Sequence, residues 1–361
     1  MRKSVTLMFA CMFVAGAQAA EEKALHIYNW ADYIDPAMIE AFEKEYGIKV
    51  QYDLFDSYET LDAKLLTGKT GYDIVFPGNI YAAREIPAGV YRKLEKSALT
   101  NWGNLDPFVL DALAVYDPGN EHGVPYMWWT NGFTYNVDAI KERLPDAPVD
   151  SLEMLFKPEV VSKFANCGVT FLDSPNDVIQ LALSYMGKDP NSKNPEDIAA
   201  VEEMLMKVRP YIHRFDSVGY LDGLAGRDVC IAMTWSGDFS VAKSRAEEAN
   251  TGVRLDYTVP KEGAVLGFDA MMIPSDAPHP ENALLFMNFV LRPDVGAAIA
   301  NFIGYATANK AAWPMVSEEL RNDPRVYPTE EVRKRLYPES VQSEEMTRTI
   351  TRMWTRFKAG S

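Results

Sequence analysis

Cysteine and histidine are scarce in this sequence, and the motifs that mark common enzyme classes are missing. Among 361 residues there are three cysteines and four histidines, and the histidines are scattered along the chain. The patterns H-E-x-x-H, P-loop, G-x-G-x-x-G and G-x-S-x-G are absent, and no C-x-x-C pair offers zinc ligands. We therefore predict no metal, no cofactor and no enzymatic activity. A hydrolase that uses two carboxylates stays open as an alternative, because acidic residues are plentiful.

Positive charge is also in short supply. The chain has 36 Lys and Arg residues against 51 Asp and Glu residues, which gives a formal net charge of -15. A protein this acidic repels nucleic acid, and its electrostatic field favours cationic ligands. We expect no nucleic-acid partner. Solubility alone explains acidity in many secreted proteins, so the charge is only a weak indication of the ligand.

The N-terminus lacks an apolar run long enough to cross a bilayer comfortably, and it has the layout of a secretory signal peptide. Arg2 and Lys3 precede an apolar run over residues 5–16, and Ala-Gln-Ala follows at 17–19. Residues 1–19 are therefore predicted to be removed on export. Loss of Arg2 and Lys3 changes the net charge from -15 to -17.

Cleavage at this site removes Cys11 and leaves Cys167 and Cys230 in the mature chain. An even pair of cysteines in an oxidising compartment predicts a disulfide between them. A loop of this length gives a stabilisation of roughly 3 to 4 kcal/mol in the chain-entropy model.

The first part of the mature chain alternates between strand and helix periodicity. The pattern predicts strands over 25–28, 48–55 and 72–76, and helices over 38–46 and 58–66. This rhythm is typical of a parallel sheet with crossover helices, so the fold class is α/β.

Two later segments are predicted to cross between lobes: the aromatic stretch 124–136 and the stretch 254–274. The residues between them carry an alternating set of their own, which makes a central insertion. We therefore expect a signal peptide at 1–19 and two discontinuous lobes joined by crossover segments. Lobe 1 comprises 24–127 plus 260–302, and lobe 2 comprises 128–259 plus 303–361. The ligand cleft is expected between them.

The stretch from Tyr28 to Pro36 holds the strongest site signal. Trp30, Asp32 and Tyr33 follow directly on a predicted strand, at the edge where open α/β sheets bind ligands. Aromatic faces and a carboxylate together suit an organic cation. The competing interpretation is an aromatic cluster that only covers the core, and this stretch alone does not separate the two.

A second strand end repeats this chemistry in the other predicted lobe. Trp235 and Asp238 lie in Thr-Trp-Ser-Gly-Asp, where Asp238 alone is equally well explained as a helix cap. Asp269 follows an aromatic residue in the returning segment, and Tyr305 follows a helix. Asp177 opens another helix, where an acid also complements the helix dipole.

These motifs, at 25–36, 72–77, 124–128, 171–173, 234–238, 259–263 and 305–309, resemble the bacterial periplasmic polyamine-binding proteins. Within that family the chain is most similar to the putrescine-binding branch, and the resemblance covers essentially the whole mature chain. It implies a two-lobe periplasmic binding protein fold of type II, in the periplasm, that delivers its ligand to an ABC permease of the inner membrane. We expect a monomer.

The resemblance also implies roles for individual residues. Trp30 and Tyr33 wall the ligand, Asp32 lies beside one amine, and Trp235 stacks on the methylene chain. The other implied contacts are ammonium binding by Asp238 and Asp269, a hydroxyl contact from Tyr305 and a distal-amine contact from Asp177. Cys167 and Cys230 match the cysteine pair of the family.

Four positions depart from the putrescine pattern: Ala31, Gly78, Asp177 and Gly267 stand where serine, serine, glutamate and an aromatic residue are expected. Each change removes volume or a hydrogen bond, so a roomier and less polar pocket is expected at those walls. Putrescine, spermidine, cadaverine and agmatine all fit that expectation. A different small ligand on the same fold is the alternative.

Overall fold

The computed structural model describes residues 21–360, so the predicted signal peptide at 1–19 lies outside the described residues. The strands within this range are β1 Ala24–Trp30, β2 Lys49–Phe55, β3 Ile74–Val75, β4 Gly123–Asn136, β5 Val169–Phe171, β6 Arg214–Phe215, β7 Ile231–Trp235, β8 Leu255–Thr258, β9 Ala264–Met272, β10 Ala306–Thr307 and β11 Leu336–Pro338. Their arrangement with the helices confirms the α/β class.

The helices within the same range are α1 Pro36–Tyr46, α2 Tyr58–Leu66, α3 Asn79–Glu85, α4 Pro107–Leu113, α5 Val137–Arg143, α6 Glu153–Phe156, α7 Pro158–Val161, α8 Pro175–Tyr185, α9 Pro195–Val208, α10 Tyr220–Gly226, α11 Ser236–Glu248, α12 Pro280–Val290, α13 Pro293–Ile303, α14 Glu318–Arg321, α15 Glu330–Arg333 and α16 Glu344–Ala359. In residues 21–360, no single helix is long and apolar enough to cross a membrane. Helices α12 and α13 meet that test only together, and they are bent by 78°.

Local sequence signals set the limits of the first elements. The side chain of Asp35 accepts a hydrogen bond from the backbone N–H of Ala37, and Pro36 occupies the first turn of α1. Gly47 ends the helix in the left-handed region with φ 66°. The five elements predicted between residues 25 and 76 are confirmed, although β3 is shorter than the predicted strand.

Strand β1 lies between β2 and β3 and is parallel to both, as the strand–helix rhythm predicts. The strand order along the whole sheet is β2-β1-β3-β9-β4-β7-β5-β6. Strand β4 changes partners in the middle. Up to Thr130 it pairs with β9, and from Asn131 onward it pairs with β7 and β8. This long strand therefore connects the two halves of the molecule.

Two large clusters of buried side chains lie on either side of this junction. The first contains residues from β1 to Trp129 and from Val265 onward, and the second contains residues from Phe133 to Ala242 together with α16. Each half of the molecule thus has its own core, as a two-lobe fold requires.

The assignment of all of 303–361 to lobe 2 does not agree with this packing. Side chains from Tyr305 to Tyr327 belong to the first cluster, whereas α16 belongs to the second. The reason is that β10 pairs with β4 at Met127 and Trp128, which holds the chain after α13 against the first half. We keep the two-lobe division as a proposal, with 303–327 moved to lobe 1.

The predicted disulfide is confirmed. The Sγ atoms of Cys167 and Cys230 are 2.02 Å apart, and the bond joins the segment before β5 to the segment before β7. It therefore lies within the second half of the molecule.

Candidate functional site

A cleft lies between the two cores, and the space within it, counted together with its opening to solvent, is about 590 Å³. The first half contributes Trp30, Ala31, Asp32, Tyr33, Tyr58, Trp129, Asp269 and Tyr305 to its walls. The second half contributes Ser217, Val218, Leu221, Trp235 and Asp238. Seven of the ten residues predicted for the site therefore meet around one cavity, and they come from both halves.

The turn after β1 directs the first group into the cleft. Trp30 is the last residue of the strand, and Asp32 adopts a positive φ of 54°, which turns the chain sharply before α1. The ring of Trp30 is 4.7 Å from that of Tyr58 and 6.2 Å from that of Trp235. Trp129 also lies beside Trp235, with ring centroids 6.1 Å apart. The three indoles thus form a wall that spans both halves.

Asp269 is the most heavily hydrogen-bonded carboxylate of the cleft. It is 3% exposed. Its Oδ2 accepts a bond of 2.8 Å from the Tyr33 hydroxyl and one of 3.0 Å from Trp129 Nε1, and its Oδ1 accepts one of 2.8 Å from the Tyr58 hydroxyl. Burial raises the pKa of Asp269 to about 6, although these three donors oppose the rise. The donors fix the carboxylate in position.

Asp238 faces the cleft from the second half, in the first turn of α11. It accepts hydrogen bonds from the hydroxyls of Tyr220 and Tyr305, the latter at 2.8 Å. Burial raises the pKa of Asp238 to about 6, and both hydroxyls oppose that rise. Two carboxylates, one from each half, are therefore held in the same way by aromatic hydroxyl groups.

Asp32, which the family resemblance places beside one amine of the ligand, contacts a basic side chain of the protein itself. Its carboxylate forms an ion pair of 2.5 Å with Arg245 of α11, and Arg245 also binds Asp222 at 2.9 Å. The Asp32 side chain is 48% exposed. Asp32 lines the cleft at its mouth, where the ion pair connects the two halves.

Three predicted residues do not line the cleft: Gly78, Asp177 and Gly267. Asp177 is 3% exposed and accepts hydrogen bonds from Asn131 Nδ2 at 2.8 Å and from Ser174 Oγ at 2.6 Å. Burial raises its pKa. It lies behind the wall of the cleft, where the indole N–H of Trp235 faces it without completing a hydrogen bond.

At each of the two glycines, an aromatic ring occupies the space that a side chain would need. A Cβ at Gly78 would lie 2.7 Å from Cζ of Tyr58, and a Cβ at Gly267 would lie 2.2 Å from Cζ2 of Trp129. The expectation of a roomier and less polar pocket at these positions is therefore wrong. The two rings take up the space, and both donate hydrogen bonds to Asp269.

Sequence reasoning missed several residues of the site. Tyr58 and Trp129 line it, and Tyr220 holds Asp238 from behind. Tyr58 begins the helix that follows β2, so the strand-end rule that found Trp30 could have found it as well. Trp129 lies in the aromatic crossover stretch, but no local pattern distinguishes it from Trp128. Ser217, Val218 and Leu221 carry no sequence signal.

Among residues 21–360, no group of three or more His, Cys, Asp or Glu side chains is placed to hold a metal ion. The chemistry of the cleft is that of aromatic faces and carboxylates from two halves of one molecule. Such an arrangement can enclose a small cation between the halves, and it defines a two-lobe solute-binding receptor.

The chain belongs to the bacterial extracellular solute-binding proteins, whose sequence model matches residues 37–328. It is 50% identical to the putrescine-binding periplasmic protein SpuD of Pseudomonas aeruginosa, over 96% of this chain and 95% of that one. It is 47% identical to the putrescine-binding periplasmic protein PotF of Escherichia coli, over 96% and 94%.

Solved structures agree with this placement. A spermidine/putrescine ABC transporter structure from Listeria monocytogenes superimposes with a TM-score of 0.84 at 32% identity, and it covers 93% of this chain and 99% of that one. The fold is the two-lobe α/β fold of type II, and the protein is a periplasmic binding protein rather than an enzyme. The hydrolase alternative is therefore set aside.

Proposed function

We propose that this protein captures a polyamine between its lobes in the periplasm and delivers it to an ABC importer. The observation that carries the proposal is the pair Asp238 and Asp269, two carboxylates from opposite halves that face one aromatic cleft. Tyrosine hydroxyls and an indole N–H hold them in place, and neither forms an ion pair with a basic side chain within the described chain. They are suited to the two ammonium groups of a diamine.

The physics of ammonium recognition supports this assignment. A buried ammonium group is very unfavourable without a partner, so each head needs a carboxylate and further acceptors. The methylene groups need apolar contact, which Trp30 and Trp235 offer from the two sides of the cleft. A six-heavy-atom diamine at the ligand-efficiency ceiling gains about -9 kcal/mol, which corresponds to sub-micromolar affinity.

The remaining residue roles follow from position. The hydroxyl group of Tyr33 orients Asp269, and that of Tyr305 orients Asp238. Asp32 lies at the entrance of the cleft, where it forms an ion pair with Arg245. Because the ligand touches both halves, it favours the closed arrangement of the lobes. We propose that the closed monomer then docks on the permease.

The test is isothermal titration of the mature protein after unfolding, removal of bound ligand and refolding. Putrescine, cadaverine, spermidine, spermine and agmatine form the panel, with arginine and γ-aminobutyrate as controls. We expect one-to-one binding of at least one polyamine with sub-micromolar affinity and no binding of γ-aminobutyrate. Binding of none of the polyamines would overturn the proposal and favour a different small ligand on the same fold.

A further inference from the structure

Helices α2 and α3 pack against each other through two pairs of side chains. Tyr58 and Asp62 are one turn apart on α2, and Tyr81 and Glu85 are one turn apart on α3, so each pair lies on one face of its helix. The rings of Tyr58 and Tyr81 stack with their centroids 4.8 Å apart. The carboxyl groups of Asp62 and Glu85 lie within hydrogen-bonding reach of each other. The two helices therefore meet through an aromatic pair and a pair of acids.

Each of these acids keeps one buried oxygen that lacks a hydrogen-bond donor. Glu85 is 2% exposed, and its Oε2 accepts a hydrogen bond from the Tyr91 hydroxyl. Its Oε1 has no hydrogen-bond partner among residues 21–360, and neither has the buried Oδ1 of Asp62. Arg84 forms an ion pair of 2.9 Å with that Oδ1 but completes no hydrogen bond to it. One proton shared between the two carboxyl groups supplies the missing donor.

The surroundings of Glu85 favour its protonated form. The titratable and charged groups that face it are Asp62 of α2, Arg84 of α3 and Tyr91 of the following segment. Burial, together with the neighbouring Asp62, raises the pKa of Glu85 to about 8, although Tyr91 and Arg84 oppose the rise. At pH 7 the Glu85 carboxyl is therefore mostly neutral and can donate to Asp62. Two carboxyl groups that share a proton attract each other, whereas two carboxylates repel.

The contact between α2 and α3 also determines the position of a residue of the cleft. Tyr58 begins α2, lines the cleft and donates from its hydroxyl to Asp269 Oδ1 at 2.8 Å. The Tyr81 ring that stacks on it is itself fixed to α2, because its hydroxyl donates to Glu59 at 3.1 Å. A movement of α2 away from α3 would carry Tyr58 with it and take a hydrogen bond from Asp269.

We propose that Asp62 and Glu85 share one proton, which holds α2 against α3. The shared proton thereby positions Tyr58 on Asp269. Neither acid of the pair lines the cleft, so both act as positioning residues. When the proton is lost, the two carboxylates repel across the helix contact and Tyr58 is held less well. Ligand affinity then falls at alkaline pH, above the range in which Asp238 and Asp269 titrate.

The first test measures the midpoint of urea denaturation of the ligand-free protein between pH 6 and 9. Up to about pH 8 the folded protein holds a proton on Glu85 that the unfolded chain has released, so Glu85 makes the wild-type protein less stable as the pH rises to that value. Glu85→Gln keeps a donor at every pH and should lose this part of the slope. Glu40→Gln, an exposed acid on α1, is the matched control and should keep the slope of the wild type. Equal slopes for Glu85→Gln and the wild type would overturn the shared proton.

The second test measures putrescine and spermidine affinity by isothermal titration at pH 7 and 9, as the ratio of the wild type to Glu85→Gln. Deprotonation of the amine affects both proteins alike and cancels in the ratio. We expect the wild-type protein to lose about threefold or more relative to the variant between the two pH values. In a Tyr58→Phe background this relative loss should disappear, because no hydroxyl is left to be positioned.

The outcomes separate this inference from the proposed function. A ratio that stays constant with pH, or a loss that persists in the Tyr58→Phe background, would overturn the positioning role while polyamine binding stands. The affinity test rests on the proposed polyamine function, and a wild-type protein that binds neither amine would overturn that function. The denaturation test needs no ligand, so it decides the shared proton in either case, and its curves show whether each variant is folded.

Discussion

The indole of Trp129 occupies the space into which a side chain at Gly267 would project, because Cζ2 of the ring lies 2.2 Å from where the Cβ of residue 267 would stand. The two residues lie opposite each other on the paired strands β4 and β9. The absence of a side chain on one strand thus makes room for the largest side chain on the other. Trp129 in turn donates to Asp269, so this pair shapes the wall and positions an acid.

Gly267→Ala is expected to lower the free energy of unfolding by about 1 to 3 kcal/mol, because the new methyl group must displace a packed indole. Ligand affinity should fall as well, since the indole N–H that holds Asp269 moves with the ring. Chemical denaturation and isothermal titration measure the two effects. Gly103→Ala is the control, because a Cβ there meets nothing within 4 Å.

The same pair allows a double-mutant test. In a Trp129→Gly background the space beside residue 267 is empty, so Gly267→Ala should no longer be destabilising. Equal effects of Gly267→Ala in both backgrounds would show that the indole is not the obstacle.

Asp269→Asn should reduce polyamine affinity at least about tenfold, because the amide keeps the shape of the carboxylate and loses its charge. Asp269→Ala is expected to reduce it by at least as much. Asp111→Asn, an exposed acid on α4, is the matched control in the titration. Binding by Asp269→Asn with the affinity of the wild-type protein would remove Asp269 from the site.

Polyamine affinity should rise with pH between 5 and 7 and level off above 7. Asp238 and Asp269 have pKa values raised from 3.8 to about 6, so below that pH each becomes neutral and no longer pairs with an ammonium group. The polyamine keeps its charge over this range, so the loss comes from the protein. At pH 5 the affinity should be lower by up to about tenfold for each acid.

The same shifts predict the stability of the ligand-free protein. Between about pH 4 and 6 the folded state holds protons on Asp238 and Asp269 that the unfolded chain has released. These two groups therefore make the ligand-free protein less stable as the pH rises through that window.

Titrations in two buffers of different ionisation enthalpy at pH 5.5 should also show proton release on binding. An affinity that stays constant from pH 5 to 7 would contradict the assignment.

Arg245→Gln should speed ligand dissociation about two- to fivefold and change stability little. The ion pair with Asp32 is partly exposed, and such pairs contribute about 0.2 to 1 kcal/mol. Because it connects the halves at the mouth of the cleft, its loss should favour opening. Stopped-flow dissociation at low and high salt measures the effect, which should shrink at high salt.

Arg254→Gln is the control for this experiment, since Arg254 pairs with Asp138 within the second half. Equal dissociation rates for the Arg245 and Arg254 variants would contradict a role of the mouth ion pair in closure.

The sequence predicted what depends on local pattern and on chain order. The strand–helix rhythm from β1 to β3 and the strand-end groups at Trp30 and Trp235 were predicted from neighbouring residues. The Cys167–Cys230 disulfide was predicted from the number of cysteines that remain after export. The segment 303–327 was misplaced because its position depends on the pairing of β10 with β4, a contact between distant parts of the chain.

The wall of the site was harder to predict for the same reason. Gly78 and Gly267 were predicted to depart from the family pattern, but the consequence of a glycine at these positions depends on Tyr58 and Trp129, which are distant in sequence and adjacent in space.

The path of the chain also governs the order in which the molecule can fold. The first core needs side chains from Val265 to Tyr327 to be complete, and the second needs those of α16 near the C-terminus. A chain that emerges from its N-terminus first therefore cannot finish either core until almost all of it is available. Both lobes can therefore complete their folding only after nearly all of the chain has emerged. Folding is slow because it depends on contacts between segments that are distant in sequence.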